Sequence, residues 1–324
     1  MRAAIVEAFG PVEAIAVKEV PTPQPGPGEV RIAVKAAGVG FVDALVAEGR
    51  YQVKPPLPFA PGGEFAGVVD ALGEGVTGLK AGDRVIGGGF TGGFAEYAVI
   101  HAMGALPIPD SMSFAQAAVF RTNFATAIHA LKDRAALQPG ETVLVLGAGG
   151  GTGTAAVTVA KIMGARVIGA ASSAEKRAAA VAAGADETVD SSAADWREAL
   201  KALAPKGVNV VFDPVGGALT ETAFRSLAWK GRHLVVGFAA GSIPALPVNL
   251  ALLKGSSLVG VDLARFSMMH EPAVAADNIR QLLAWFAEGK LRLEPGRIVP
   301  LAEAPAALKA VLERQAVGKI VVEI

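Results

Sequence analysis

The chain has 324 residues, enough for two domains with cores of their own. Its 30 basic and 30 acidic residues balance to a net charge of zero, and no long basic run argues for nucleic acid or an anionic membrane surface. Cysteine is absent, which excludes disulfides, thiolate nucleophiles and every Cys-ligated metal site.

The first ten residues reach Glu7 too early for the apolar core of a signal peptide. Short β-rich segments follow at 3–6, 14–19, 29–36, 65–72, 84–87 and 93–99, separated by Pro/Gly clusters at 21–28 and 55–63. Frequent turns between short strands predict a compact, partly barrel-like β domain. From Phe114 the pattern becomes helical, and from Glu141 strands and helices alternate. Strands are predicted at 143–146, 166–170, 186–189, 208–212, 232–237 and 256–262, which with their crossovers fit a six-stranded, doubly wound parallel α/β sheet. The Ala-rich run 178–185 reads as helix, with Gly184 able to end it. The tail carries predicted helices at 277–288 and 304–313 and a last strand at 319–323. It is expected to return to the N-terminal domain, giving a β-rich domain of 1–121 plus 267–324 and an inserted domain of 122–266. Two uncharged stretches, 142–160 and 234–253, have the length of membrane spans. Five glycines break the first, and Pro244 and Pro247 break the second, so a soluble, cytoplasmic protein is expected.

The segment 143–153, VLVLGAGGGTG, carries the most chemistry. An apolar strand runs into glycines and then into a helix of small residues. Glycines there let the backbone approach a pyrophosphate lying on a helix N-terminus. Ala148, Gly150 and Gly153 keep the spacing of a dinucleotide fingerprint, with alanine in the first place. An NAD site usually has Asp or Glu at the end of the next strand, about 20 residues on. Here that strand ends in Ala170, Ala171, Ser172 and Ser173, with no carboxylate between Gly153 and Glu175. Hydroxyls and the ammonium of Lys176 can receive a 2′-phosphate that a carboxylate would repel, which predicts NADPH. The competing reading makes Lys176 and Arg177 an ordinary solvated helix face.

Seven segments in order, 28–69, GDRV (82–85), GGFAEYAV (92–99), the glycine turn, ASSAEKR (171–177), VVFDPVGG (210–217) and GKIVV (318–322), carry a resemblance over nearly the whole chain. The chain resembles the medium-chain dehydrogenase/reductases, and among them the zinc-free quinone oxidoreductase branch. The resemblance implies a Rossmann sheet inserted in a β-rich, GroES-like catalytic domain. It implies cofactor contacts at Phe41, Thr126, Gly150, Gly151, Thr152, Gly153, Ser172, Lys176, Val215, Phe238, Val261 and Leu263. Thr126, Val215 and Phe238 read equally as ordinary helix and core residues. In the zinc enzymes of this superfamily a Cys and a His ligand stand where this chain has Ala37 and Gly63, so no metal is expected. The four histidines are dispersed, without metal-ligand spacing.

The family's usual Asn in the loop before the first helix is replaced by Gly40. Tyr51, one of two tyrosines, is the candidate general acid, or else a ring that caps the proline-rich loop. Arg314 and Lys319 could approach the 2′-phosphate or be solvated charges. The expected activity is hydride transfer from NADPH to a small-molecule acceptor, a quinone or activated enone. An enoyl-thioester or acyl-CoA reductase and a non-catalytic NADPH-binding protein are the alternatives. A homodimer is expected through an apolar edge strand at 257–263, with neither nucleic acid nor membrane as partner.

Overall fold

The structure is a computed structural model that describes all 324 residues. It divides into two compact units, Met1–Arg121 with Leu293–Ile324, and Thr122–Arg292.

The first unit opens with an antiparallel ribbon of β1 (Arg2–Ile5) and β2 (Ala16–Glu19). Its main sheet contains β3 (Glu29–Gly38), β4 (Glu64–Leu72), β5 (Arg84–Gly88), β6 (Tyr97–His101) and β7 (Leu106–Pro107). Val30, Ile32 and Val34 alternate into the core beside Phe65, Val69, Val85 and Phe94, which fixes the face that β3 buries. Two register shifts between β3 and β4 bend the sheet.

The second unit contains β8 (Thr142–Leu146), β9 (Arg166–Ala171), β10 (Glu187–Asp190), β11 (Val208–Asp213), β12 (Leu227–Val235) and β13 (Ser257–Gly260). All six are parallel, in the order β10-β9-β8-β11-β12-β13. The chain therefore reverses its direction of travel between β8 and β11, and loops on either side of such a switch point part to leave a ligand crevice. Residues 143–146 are all buried, as expected of a central parallel strand covered on both faces. Leu144, Leu146, Ile168 and Val211 share a core with Trp196, Leu200, Phe224 and Leu250 from the later helices.

The chain then returns to the first unit, where β14 (Arg297–Pro300) pairs β15 (Ile320–Glu323) and β15 pairs β3. No helix is long and apolar enough to cross a membrane.

The return falls at Leu293, not at 267. The intervening helix, Pro272–Ala287, is held to the second unit by buried Asn278, which donates to Asp133 at 2.7 Å and accepts from Lys132 at 2.8 Å. His129 also stacks on Phe266 at 3.7 Å. The sixth parallel strand is shorter than the expected 256–262, because Asp262 accepts the Arg265 N–H at 3.0 Å and starts a short helix, Leu263–Arg265.

Candidate functional site

Gly150–Gly153 follow β8, Ser172 follows β9, Val215 follows β11, Phe238 follows β12, and Val261 and Leu263 follow β13. In a parallel sheet these segments all leave from the carboxyl edge, where ligands of such sheets bind. The helix Gly151–Ile162 begins directly after the turn, whose Gly150 N–H bonds the Gly147 carbonyl at 3.0 Å. The N–H groups of Gly151, Thr152 and Gly153 have no acceptor within the helix, and a helix N-terminus of this kind can receive an anion. A methyl group on Gly153 would overlap the Gly147 carbonyl oxygen. One on Gly149 would lie 2.5 Å from the Lys176 carbonyl oxygen. The main chain of Lys176 thus lies against the glycine turn, a proximity that spacing alone does not reveal.

Ser173 caps the helix Ala174–Ala182 by accepting the Lys176 N–H at 3.3 Å, and Ser172 is exposed beside it. Arg177 is not simply a solvated face. It bonds Asp190 at 2.8 Å and the Ala171 carbonyl at 3.2 Å, tying the ends of β9 and β10 together. Thr152 donates to buried Asn123 at 3.1 Å, a residue the sequence did not single out. Thr126, on the helix Arg121–Ile128, donates to the Thr122 carbonyl at 2.7 Å and keeps its capacity to accept. Glycines without Cβ atoms, helix N–H groups without intrahelical acceptors and a strand end without a carboxylate make this edge fit a phosphorylated dinucleotide.

Asp213, at the end of β11, is buried with Thr220 and His233. Its Oδ1 accepts the N–H groups of Val215 at 2.9 Å and Gly216 at 2.8 Å. Its Oδ2 accepts from the Thr220 hydroxyl at 2.8 Å and meets His233 Nε2 at 3.0 Å. Burial works against ionisation of Asp213, but the bonds from His233, Gly216 and Thr220 outweigh it and hold the carboxyl below its ordinary range.

In the first unit a second buried polar group surrounds the helix Phe41–Ala47. Asp43 accepts the Gly40 N–H at 2.7 Å and the Gly63 N–H at 2.8 Å, so one carboxylate joins the two loops. Burial raises its pKa, with the Lys319 ammonium and these two N–H groups opposing the rise. Lys319 is itself buried, 3.4 Å from Glu64, which corrects its reading as a solvated charge. Arg314, by contrast, is exposed.

Ala37, the residue expected at the first zinc-ligand position, lies within β3 opposite Phe65 and Val322. Gly40 is the residue that stands beside Gly63, since the two share Asp43. Neither offers a side-chain donor, both Asp43 oxygens accept N–H groups, and an ammonium lies close by. No three His, Cys, Asp or Glu side chains cluster anywhere. These residues do not fit a zinc ion. His129 and His233 are buried in the second unit, whereas His101 and His270 are exposed.

Phe41 opens its helix half-buried. Tyr51 is half-buried in the following loop, packs on the core of the first unit and sets its ring 6.1 Å from that of Phe90. The ring therefore has a packing role, whatever its hydroxyl does.

Residues 26–110 match the family model of the alcohol dehydrogenase GroES-like domain, and residues 151–281 match that of zinc-binding dehydrogenases. Quinone oxidoreductase-like protein 2 of Bos taurus is 41% identical over 313 residues, covering 96% of this chain and 89% of the relative. The quinone oxidoreductase of Thermus thermophilus, solved with and without NADPH, is 34% identical, with a TM-score of 0.85 and 100% coverage of both chains. The Escherichia coli quinone oxidoreductase complexed with NADPH is 27% identical, with a TM-score of 0.90 and the same 100% coverage of both.

Proposed function

Because the chain belongs to the medium-chain dehydrogenase/reductase superfamily, in its quinone oxidoreductase-like branch, we propose that it is an NADPH-dependent oxidoreductase that reduces a quinone or an activated enone without zinc. The observation that supports the cofactor choice most directly is the end of β9. It carries hydroxyls instead of an acid, and the backbone of Lys176 lies against Gly149 of the phosphate turn.

When bound, NADPH supplies the two-electron reducing equivalent. Gly151, Thr152 and Gly153 hold the pyrophosphate through their N–H groups and the positive end of their helix. Ser172 and Lys176 hold the 2′-phosphate. Thr126, Val215, Phe238, Val261 and Leu263 position the nicotinamide half and keep water from it. Within the first unit, Tyr51 is the candidate proton donor to the acceptor, or else a ring that only packs beside Phe90. With glycines at positions 40 and 63, the chain supplies no metal Lewis acid to polarise an alcohol or carbonyl oxygen. Acceptors that take electrons readily suit such a site.

The experiment is a panel of quinones, enones and enoyl thioesters, followed through loss of the NADPH absorbance band. Turnover of quinones or enones with NADPH above NADH is the expected result. NADPH binding without turnover of any acceptor would turn the reading to a non-catalytic binding protein, and preferred turnover of thioesters would turn it to an enoyl reductase.

A further inference from the structure

We propose that Asp213 is a positioning residue for the dinucleotide: its carboxylate, locking His233 as the neutral Nε2–H tautomer, sets the two loops that carry Val215 and Phe238. This rests on the reading that the carboxyl edge of the second sheet binds a dinucleotide.

The carboxylate is saturated. Two backbone N–H groups fill Oδ1, and the Thr220 hydroxyl with His233 Nε2 fills Oδ2. An ionised carboxyl accepts about four hydrogen bonds and donates none, so all four partners must arrive as donors. Asp213 and Thr220 are 3% exposed and His233 is 0% exposed, so water replaces none of them. The main chain continues the brace. The Asp213, Pro214 and Val215 carbonyls accept the N–H groups of Val236, Ala239 and Ala240 at 2.9, 3.1 and 2.8 Å. Phe238 closes over the turn, its ring 2.9 Å from where a Cβ on Gly216 would stand. The loops after β11 and β12 are therefore joined to each other by the main chain, and the first of them is held by the Asp213 carboxylate.

His233 fixes the chemistry of that piece. Its Nδ1 is buried and has no hydrogen-bond partner. An imidazolium, or the Nδ1–H tautomer, would bury an unsatisfied donor, at a cost larger than that of a bare lone pair. The Nε2–H tautomer avoids it and gives Asp213 its fourth donor.

Asp213→Asn is nearly isosteric and separates shape from chemistry. An amide oxygen can still receive the Val215 and Gly216 N–H groups, but its NH2 then faces Thr220 and His233. The hydroxyl can rotate to accept, whereas the imidazole must give up its Nε2 proton. Nitrogen-15 spectra of the histidines, recorded without cofactor, should show His233 as Nε2–H in the wild type and not in Asp213→Asn. NADPH titrated by fluorescence well below the melting transition should bind Asp213→Asn about tenfold more weakly, the effect of one charge-assisted bond. Thr220→Val, which removes one of the four donors and leaves the carboxylate, should weaken NADPH about threefold and serves if Asp213→Asn does not fold. A wild-type His233 that is doubly protonated or carries its proton on Nδ1 overturns the proposal. So does unchanged NADPH affinity in the folded Asp213→Asn, or in Thr220→Val if that variant alone folds, because a merely structural role would lower stability and spare the affinity of folded molecules. A wild type that binds neither NADPH nor NADH would instead overturn the dinucleotide reading, and this proposal with it.

Discussion

In the proposed reading Lys176 chooses the cofactor through its single ammonium. Its main chain lies against Gly149, and Ser173 caps its helix, so the side chain starts from a fixed point beside the phosphate turn. Lys176→Ala should weaken NADPH roughly tenfold or more, since a charge-assisted contact contributes about 1.5–3 kcal/mol, and should leave NADH nearly unchanged. Equal wild-type affinities for the two cofactors, by calorimetry, would remove the basis for this assignment. Tyr51 separates two chemistries in the same way. If its hydroxyl donates a proton to an enolate, Tyr51→Phe should cut turnover of enoyl thioesters about 100-fold or more. If the ring only packs beside Phe90, quinone turnover should stay nearly intact while the Michaelis constant rises. We expect the milder outcome with quinones, whose reduced oxygens water protonates readily. A large loss of quinone turnover at unchanged cofactor affinity would contradict it. Elsewhere, Glu141 makes a two-point contact with Arg232 at 2.6 and 2.8 Å, and the guanidinium bonds hold its carboxyl below the ordinary range. A depressed folded pKa gives stabilisation that is present above the unfolded value of 4.5 and lost as pH falls through the folded one. Glu141→Gln should cost about 2 kcal/mol in urea unfolding at neutral pH, and the gap should narrow as the pH falls below 4.5. A gap of constant size across that range would mean the pair is not what the substitution disturbs.

At the scale of elements, the glycine turn and its helix form the part of the site least tolerant of added volume. Gly153→Ala would drive a methyl group into the Gly147 carbonyl oxygen, so the helix must shift away from the turn. Overpacking of this kind costs about 1–3 kcal/mol, and the shift displaces the N–H groups that the proposed reading gives to the pyrophosphate. Both melting temperature and NADPH affinity should therefore fall in Gly153→Ala, and a variant with wild-type affinity would show that the pyrophosphate lies elsewhere. The elements differ in how far the sequence reveals them. β8 is legible because a run of four apolar residues, Val143–Leu146, is too short for a helix and ends at the glycines that begin at Gly147. β13 is shorter than its pattern suggests because Asp262 looks like a lone charge within an apolar strand, whereas it is a helix cap. The segment 277–288 reads as an amphipathic helix, which the structure places at Pro272–Ala287, but its pattern does not say which unit its buried face meets. Asn278 meets Lys132 and Asp133 at separations of 146 and 145 residues, and that assigns the helix to the second unit.

At the scale of the whole molecule, the second sheet ends in β13, an edge with no further strand beside it in the chain. Leu258 on that strand is 52% exposed, and Leu252 and Leu253 on the preceding helix are 80% and 70% exposed. A bare apolar edge invites pairing, and a two-fold mate would extend both sheets. Light scattering at micromolar concentration should give about twice the chain mass, and a charged substitution, Leu258→Lys, should halve it. A monomeric wild type would refute the dimer. Elemental analysis should find no stoichiometric zinc, with activity kept in strong chelator, because Gly40 and Gly63 give the metal nothing to bind.

The amino-acid sequence by itself determined what depends on near neighbours along the chain. Period and turn residues specify the βαβ unit, the glycine turn at a helix start and the missing acid at the end of β9, since each rests on local backbone geometry. Only the tertiary structure decided which distant groups meet. Lys176 lies on Gly149, Asp43 joins Gly40 to Gly63, Lys319 is buried against Glu64, and Asp213 gathers Thr220 and His233. A charge on a helix or in a tail reads the same in sequence whether water or a carboxylate faces it. Burial decides between them, because a charge removed from water must find its partner in the fold.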